Sequence, residues 1–140
     1  MYLLDTDVLS EARKRRPDAN VTAWFEAVAS DDLYLSAVTI FEIELGIEKR
    51  RRDNPAFAEE LAGWLATVLG FYGERALPIT TGIARRWGRL SAEVGHKELD
   101  LAIAATALEH GLTVVTRNVA HYKPTGVQVF NPFEAHRRDR

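Results

Sequence analysis

Residues 99–118, LDLAIAATALEHGLTVVTRN, contain the pattern that decides the fold. The segment from Glu98 to His110 is apolar and rich in helix formers, and Gly111 follows it as a typical helix stop. Thr113–Thr116 is β-branched and has the composition of a short buried strand. A helix that turns tightly into a buried strand is half of a repeating α/β unit. The segment therefore predicts a parallel sheet with helices on its faces.

The rest of the chain repeats this alternation and fits one domain, residues 1–134, followed by a basic tail, residues 135–140. Further strands are predicted at Tyr2–Leu4, Asp32–Leu35, Ala76–Ile79 and Val127–Phe130. Helices are predicted from Asp7 to about Lys14, over Val21–Ala29, from an N-cap at Ser36 through Arg51, from Asn54-Pro55 onward, and from Thr80 or Thr81 to about Val94.

The composition excludes several classes of protein. The chain has 140 residues, 46% of them hydrophobic, and no Cys, so a disulfide framework and a thiolate zinc site are both excluded. The N-terminus lacks the features of a signal peptide, and no stretch approaches the roughly 18–20 apolar residues of a membrane span. We therefore expect a cytoplasmic protein that does not enter a membrane.

Polar side chains follow two of the predicted strands. Asp5 comes directly after Leu3-Leu4, and Asn118 follows the strand at residues 113–116. Ligands of parallel sheets gather at the carboxyl ends of the strands, where both residues should lie. Thr6, Ser36 and Thr116 are candidates for orienting these groups by hydrogen bonds. Asp7 has two interpretations, and an N-cap role is favoured over a role in the site.

Two more acids break apolar helical patterns. Glu42 has Val38, Leu45 and Gly46 as helical neighbours, and Asp100 heads a row that continues with Ile103, Ala104 and Ala107. A lone carboxylate costs several kcal/mol to desolvate, so several such acids in one small chain suggest a shared cation. Oxygen ligands favour a hard ion such as Mg²⁺ or Mn²⁺. Simpler interpretations are a boundary glutamate and an aspartate favoured by the helix dipole.

Basic residues form clusters although the net charge is −2. Each cluster is either a solvated helix end or part of a phosphate-binding rim. The clusters are Arg13–Arg16, Lys49–Arg52, Arg85-Arg86 with Arg89, and Arg137-Arg138-Asp139-Arg140.

Four motifs in order resemble a PIN-domain ribonuclease, and more narrowly a VapC-type toxin of a toxin–antitoxin pair. They are MYLLDTDVLSE at residues 1–11, LYLSAVTIFEIELGI at 33–47, LDLAIAATALEHGLTVVTRN at 99–118 and VFNPFE at 129–134. The resemblance implies a three-layer α/β/α fold with a central, mostly parallel sheet. It also implies a site that binds Mg²⁺ or Mn²⁺ and hydrolyses RNA phosphodiesters.

The resemblance implies roles for individual residues. Asp5, Glu42 and Asp100 would hold the ion directly or through water, and Asn118 would complete the site. Many family members have Asp at the position of Asn118, and Asn is usual at the position of Asp7. His121-Tyr122 stands where an acid followed by Phe is common; Tyr122 is interpreted as packing and His121 as a surface residue.

The resemblance further implies a cognate antitoxin that covers the acidic site, and a homodimer. Four aromatic residues are candidates for these interfaces, although core packing is the favoured interpretation for each: Trp24, Phe25, Phe57 and Trp64.

Two other functions compete with metal-dependent cleavage of RNA. Asp5-Thr6-Asp7 after an apolar strand is similar to the start of a haloacid-dehalogenase phosphatase motif, in which an aspartate is the nucleophile. The chain is short for that fold and lacks a lysine near the end of a late strand. A PIN-like module that binds RNA or a partner without cutting is the other alternative, and Asn118 is the feature that favours it.

Overall fold

A five-stranded parallel sheet forms the centre of the computed structural model, which describes residues 1–134. The order of the strands is β3-β2-β1-β4-β5, and every neighbouring pair is parallel. The strands are β1 (Tyr2–Leu4), β2 (Leu33–Ser36), β3 (Ala76–Leu77), β4 (Thr113–Val115) and β5 (Val129–Phe130). The three-layer α/β/α fold with a parallel central sheet is confirmed. The predicted basic tail, residues 135–140, lies outside the described residues.

Seven α-helices connect and cover the strands of the described chain. They are α1 (Thr6–Arg13), α2 (Ala19–Ala27), α3 (Ala37–Arg51), α4 (Pro55–Tyr72), α5 (Thr81–Val94), α6 (Leu99–His110) and α7 (Val119–Tyr122). The side chains of Ser36, Asn54 and Thr80 cap the N-termini of α3, α4 and α5, and the backbone of Gly111 caps the C-terminus of α6. These predicted caps are confirmed. No helix within residues 1–134 has both the length and the apolar character needed to cross a bilayer.

Several strand boundaries differ from their predictions. The second strand begins and ends one residue later than predicted, the third ends at Leu77, and the fifth is confined to Val129–Phe130. Gly126 has a φ of 77° and closes a 3₁₀ turn, so Val127 serves as the exit from that turn and not as part of the strand.

Two apolar cores lie on opposite faces of the sheet. One contains Leu3 and Val114 with the apolar row of α6, and the other contains Leu4 and Val115 with buried residues of α1, α3 and α4. Successive strand residues point to opposite faces, which explains how neighbours in sequence enter different cores. The four candidate interface aromatics Trp24, Phe25, Phe57 and Trp64 are partly buried against the second core, which agrees with core packing.

Candidate functional site

Asp5 is fixed at the carboxyl end of β1. Its backbone N–H donates to the carbonyl of Val115, which continues the pairing of β1 with β4. Its Oδ1 accepts a hydrogen bond from the N–H of Thr6 at 2.8 Å, so Asp5 is the N-cap of α1. Its Oδ2 accepts a hydrogen bond from Thr116 Oγ1 at 2.8 Å. The side chain is therefore held by one residue from each of the two neighbouring strand ends.

Asp7 lies in the first turn of α1 and faces the end of β4. The prediction that Asp7 is an N-cap is wrong, because Asp5 caps the helix and the helix begins at Thr6. Asp7 Oδ2 instead accepts a hydrogen bond from the backbone N–H of Arg117 at 3.1 Å. Its Oδ1 is buried and has no hydrogen-bond partner among the described residues. Burial, with a contribution from the charge of Asp5, raises the pKa of Asp7 from 3.8 to about 6.

Glu42 reaches the same region from α3. Its Oε1 accepts a hydrogen bond from Thr6 Oγ1 at 2.5 Å, and Thr6 Oγ1 also lies 3.3 Å from Thr39 Oγ1. The side chain is half-buried, and burial is the main cause of its raised pKa. The predicted apolar surroundings of Glu42 are only partly correct, because its neighbour Leu45 is exposed.

Ser36 has a structural place next to these acids. Its Oγ accepts a hydrogen bond from the N–H of Val38 at 3.0 Å, which caps α3. No hydrogen bond joins Ser36 to a carboxylate within residues 1–134, so an orienting role for Ser36 stays a prediction.

Asp100 lies in the first turn of α6, as expected, and its i+3 and i+4 neighbours Ile103 and Ala104 are fully buried. Its side chain is 19% exposed, and Oδ2 lies 3.7 Å from Nδ1 of His121. The other oxygen, Oδ1, is buried without a hydrogen-bond partner in the described part of the chain. A buried carboxylate oxygen with no donor is an expensive arrangement unless a ligand completes it.

Asn118 follows β4 and precedes α7. Its backbone N–H donates to Thr116 Oγ1 at 2.9 Å, so Thr116 both accepts from Asn118 and donates to Asp5. The amide side chain of Asn118 is exposed and makes no capping hydrogen bond to α7. It is therefore available to a ligand at the sheet edge.

These side chains line one open cleft of about 520 Å³ at the carboxyl ends of the strands. The lining residues are Asp5, Thr6, Asp7, Glu42, Lys97, Glu98, Leu99, Asp100, Asn118, His121 and Tyr122. Desolvation is the largest cause of the raised pKa values of Asp5, Asp7 and Glu42, and mutual repulsion adds to it. The fold thus concentrates negative charge that a cation would stabilise.

The donor set fits a hydrated divalent cation. Among residues 1–134, no three acidic or histidine side chains are arranged so that they could hold one ion by themselves. The unpartnered oxygens of Asp7 and Asp100 nevertheless offer hard ligands, and Mg²⁺ characteristically keeps several waters in its coordination shell. Coordination through water by Asp5, Glu42 and Asp100 remains compatible with this arrangement.

Tyr122 is the cleft residue whose environment the sequence did not indicate. The ring is buried as predicted, but its hydroxyl is also buried, points to the acidic cleft and makes no well-formed hydrogen bond among residues 1–134. Burial and the nearby charge of Asp5 both raise the pKa of this phenol. Lys97, Glu98 and His121 complete the rim, and only the tertiary fold brings them to Asp5.

Comparison with known proteins agrees with this fold. Residues 2–126 match the model of the PIN domain, so the chain belongs to the PIN domain family. It is 34% identical over 140 residues to toxin FitB of Neisseria gonorrhoeae, with 95% of this chain and 99% of the relative covered. It is 35% identical over 144 residues to VapC ribonuclease Y4jK of Sinorhizobium fredii, with 96% and 99% covered.

A solved structure shares the whole architecture. The crystal structure of FitAcB from Neisseria gonorrhoeae superposes with a TM-score of 0.86 at 33% sequence identity. The match covers 96% of this chain and 100% of the other. The family assignment argues against the aspartyl-phosphatase alternative, which requires a different fold.

Proposed function

We propose that this protein is a divalent-metal-dependent endoribonuclease and the toxin of a toxin–antitoxin pair. The observation that carries the proposal is the pair of buried, unpartnered carboxylate oxygens of Asp7 and Asp100 in a cleft with three further acids. A cation would offset the cost of keeping these carboxylates charged at neutral pH. Membership of the PIN family and the similarity to a VapC ribonuclease support RNA as the substrate.

The chain's own residues position the reacting groups. Thr116 and the Thr6 N–H hold Asp5, and the Thr6 hydroxyl holds Glu42, so both carboxylates are oriented before substrate arrives. Mg²⁺ or Mn²⁺ bound near Asp5, Glu42 and Asp100 would lower the pKa of a bound water and offset phosphoryl charge. The exposed amide of Asn118 would orient water or a phosphate oxygen.

Cleavage of a single-stranded RNA by the purified protein tests the proposal directly. Asp5→Asn keeps the shape of the side chain but removes its charge, and we expect roughly a thousandfold loss of rate, or about 4 kcal/mol of transition-state stabilisation. Asp31→Asn is the matched control, because Asp31 is exposed and lies outside the cleft. An Asp5→Asn rate within about twofold of wild type, with Mg²⁺ or Mn²⁺ present, would contradict the assignment.

Metal-dependent stabilisation separates an enzyme from an inert RNA-binding module. A ligand that binds only the native state raises its Tm. We expect Mg²⁺ or Mn²⁺ to raise the Tm of the wild type, and Asp100→Ala to reduce this shift strongly. A wild type whose Tm does not respond to either metal would favour the non-catalytic module.

We also propose a cognate antitoxin as the partner of this chain, since a toxin requires an inhibitor in the cell that makes it. The acidic cleft suits a basic side chain, which would form charge-assisted hydrogen bonds with the carboxylates. The test is co-expression with the product of the neighbouring open reading frame. We expect a stable complex in which RNA cleavage is suppressed, and suppression should weaken when the partner's basic residue is removed.

Self-association into a homodimer belongs to the same proposal. Phe41 and Leu45 lie one turn apart on α3 and are exposed at 54% and 43%, which gives this face an apolar surface. Light scattering should show a dimer for the wild type and a monomer for Phe41→Ser combined with Leu45→Ser. A wild type that stays monomeric at tens of micromolar would contradict the dimer.

A further inference from the structure

Next to the acidic cleft, α1, α3 and α4 enclose a second depression, which we call the arginine–aromatic groove. It combines two adjoining depressions that share Arg13 on α1 and Trp64 on α4. Gly46 and Arg50 on α3 and Phe57 on α4 complete the groove as it is used below, and one acid of α4, Glu60, also lines it. Its inner end is lined by Thr6 and Glu42, which also line the acidic cleft. The groove therefore adjoins the candidate active site.

The aromatic rings hold the two guanidinium groups in place. Arg13 Cζ lies 5.7 Å from the ring centroids of both Phe57 and Trp64, and Arg50 Cζ lies 5.1 Å from that of Phe57. A cation–π contact at this distance favours a position of the guanidinium beside the ring and leaves its N–H groups free to donate. Two planar donor forks thus stand on the wall of one groove.

Both guanidinium groups lack a carboxylate partner within residues 1–134. Neighbouring basic residues differ in this respect: Arg51 pairs with Glu48 and Glu59, and Lys14 pairs with Glu11. The sequence clusters Arg13–Arg16 and Lys49–Arg52 therefore contain two residues in salt bridges, Lys14 and Arg51, and six without one among residues 1–134. Of those six, Arg13 and Arg50 are the two that lie against the aromatic rings of the groove. An unpaired, preoriented Arg is well suited to bidentate contact with phosphate.

Gly46 keeps the middle of the groove open. It lies within α3, and a Cβ built at this position would meet no atom within 4 Å. A larger side chain would fit the protein without a clash and would project into the space that the groove provides.

We propose that the arginine–aromatic groove binds the single-stranded RNA on one side of the scissile phosphate. Arg13 and Arg50 bind its backbone phosphates, and the edges of Phe57 and Trp64 contact its bases. This inference rests on the proposed function, since the acidic cleft must hold the phosphate that is cut. Basic grooves that also contain aromatic side chains hold single strands in many proteins. Charge favours RNA over a peptide, because a peptide would need acidic residues placed against both arginines.

The closing experiment measures the affinity of a fluorescent 12-nucleotide single-stranded RNA in the presence of Ca²⁺. We expect Arg13→Gln combined with Arg50→Gln to weaken binding roughly tenfold or more. The slope of log Kd against log salt should fall by about 1.4, which is about 0.7 for each of two lost phosphate contacts. The control, Arg85→Gln with Arg89→Gln, removes equal charge from exposed positions on α5 outside the groove and should change binding about twofold or less.

Two further variants separate the groove from a general effect of charge. Gly46→Gln should weaken RNA binding by filling the groove, whereas Gly63→Gln, on an exposed face of α4 that lines neither depression, should not. Neither change should lower the Tm, because both replace a helical glycine with a better helix former. Arg13→Lys with Arg50→Lys should restore only part of the affinity, since lysine keeps the charge but loses the planar fork.

Failure of RNA binding by the groove can be distinguished from failure of the proposed RNA cleavage. Equal losses in the α5 control, no RNA binding by the wild type, or unchanged RNA affinity with weakened binding of the inhibitory partner would each overturn it. A wild type that binds RNA through the groove but cuts none in Mg²⁺ would overturn the proposed catalysis and leave the groove standing.

Discussion

Thr116 donates a hydrogen bond from Oγ1 to Oδ2 of Asp5 at 2.8 Å, and thereby joins the ends of two neighbouring strands across 111 positions of sequence. The same hydroxyl oxygen accepts the backbone N–H of Asn118 at 2.9 Å. Thr116 is fully buried, and its bond to Asp5 is shielded from bulk water. One side chain therefore sets both the rotamer of the central carboxylate and the turn that presents Asn118.

Thr116→Val should destabilise the protein by about 1–3 kcal/mol, because it leaves a buried carboxylate oxygen and a backbone N–H without partners. Urea unfolding of the metal-free protein measures this. Thr106→Val is the control: Thr106 is also buried, but its hydroxyl only donates back to the carbonyl of Ala102 within α6. Loss of such a bond costs little. Equal costs for the two variants would show that the Thr116 bridge has no special role.

The stability of the metal-free protein should fall as the pH rises from 5 to 7. The pKa of Asp7 is raised to about 6, and the pKa values of Asp5 and Glu42 are raised in the same direction. A raised pKa means that the folded state binds the proton more tightly. Protonation therefore stabilises the folded state fully below the ordinary pKa, and this stabilisation is lost as the pH rises through the pKa of the folded state.

For Asp7 alone we expect a loss of roughly 1–2 kcal/mol, after reducing a shift of about two units for partial exposure. Lys14 lowers the pKa of Glu11, so Glu11 makes the stability rise with pH. This happens only below its ordinary pKa of 4.5, outside the window considered. Thermal unfolding in EDTA from pH 5 to 7 checks the sign. Asp7→Asn should flatten the profile and raise the Tm at pH 7, and a Tm that rises with pH across this window would refute the raised pKa of Asp7.

Asn118→Asp should tighten metal binding about fivefold, since one added charge near an exposed cation contributes on the order of 1 kcal/mol. The same change should lower the stability of the metal-free protein, because it adds a charge to an acidic cleft. Calorimetric titration with Mn²⁺ measures the affinity. Asn54→Asp is the matched control. Asn54 is an exposed N-cap that does not line the cleft, and aspartate caps a helix equally well. Unchanged affinity in Asn118→Asp would place residue 118 outside the metal's surroundings.

The positions of Asp5, Asp100 and Asn118 follow from rules that act along the sequence. Parallel strands end at the same edge of a sheet, and the helix that leads into the next strand begins at that edge. Asp5 and Asn118 at strand ends and Asp100 at a helix start were therefore predictable neighbours. The helix caps are also local. Asp5 and Asp7 show where local rules fail: both can cap a helix that starts nearby, and the pairing of Asp5 with Val115 decides between them.

The sequence did not predict the arginine–aromatic groove, because the groove depends on contacts between helices. Arg13 and Arg50 belong to basic clusters that look alike in sequence. Lys14 and Arg51 each pair with an acid three residues earlier, and Glu59 of α4 also pairs with Arg51. Only the packing of α1 and α3 against α4 brings Arg13 and Arg50 to the same aromatic rings. The surroundings of Tyr122 likewise depend on the tertiary fold, which places Tyr122 of α7 in the same cleft as Asp5. Tertiary contacts select partners among residues that local pattern treats as equivalent.

Tyr122→Phe should leave the protein equally stable or more stable, by up to about 1 kcal/mol. The ring, which packs in the core, is retained, and a buried hydroxyl without a well-formed hydrogen bond is removed. Thermal and urea unfolding in EDTA measure the change, and Tyr72→Phe is the control, because Tyr72 is a buried tyrosine of α4 remote from the acids. A loss above about 1 kcal/mol in Tyr122→Phe alone would show that the hydroxyl does bond to Asp5 in solution. The phenol would then be part of the framework that orients the central carboxylate.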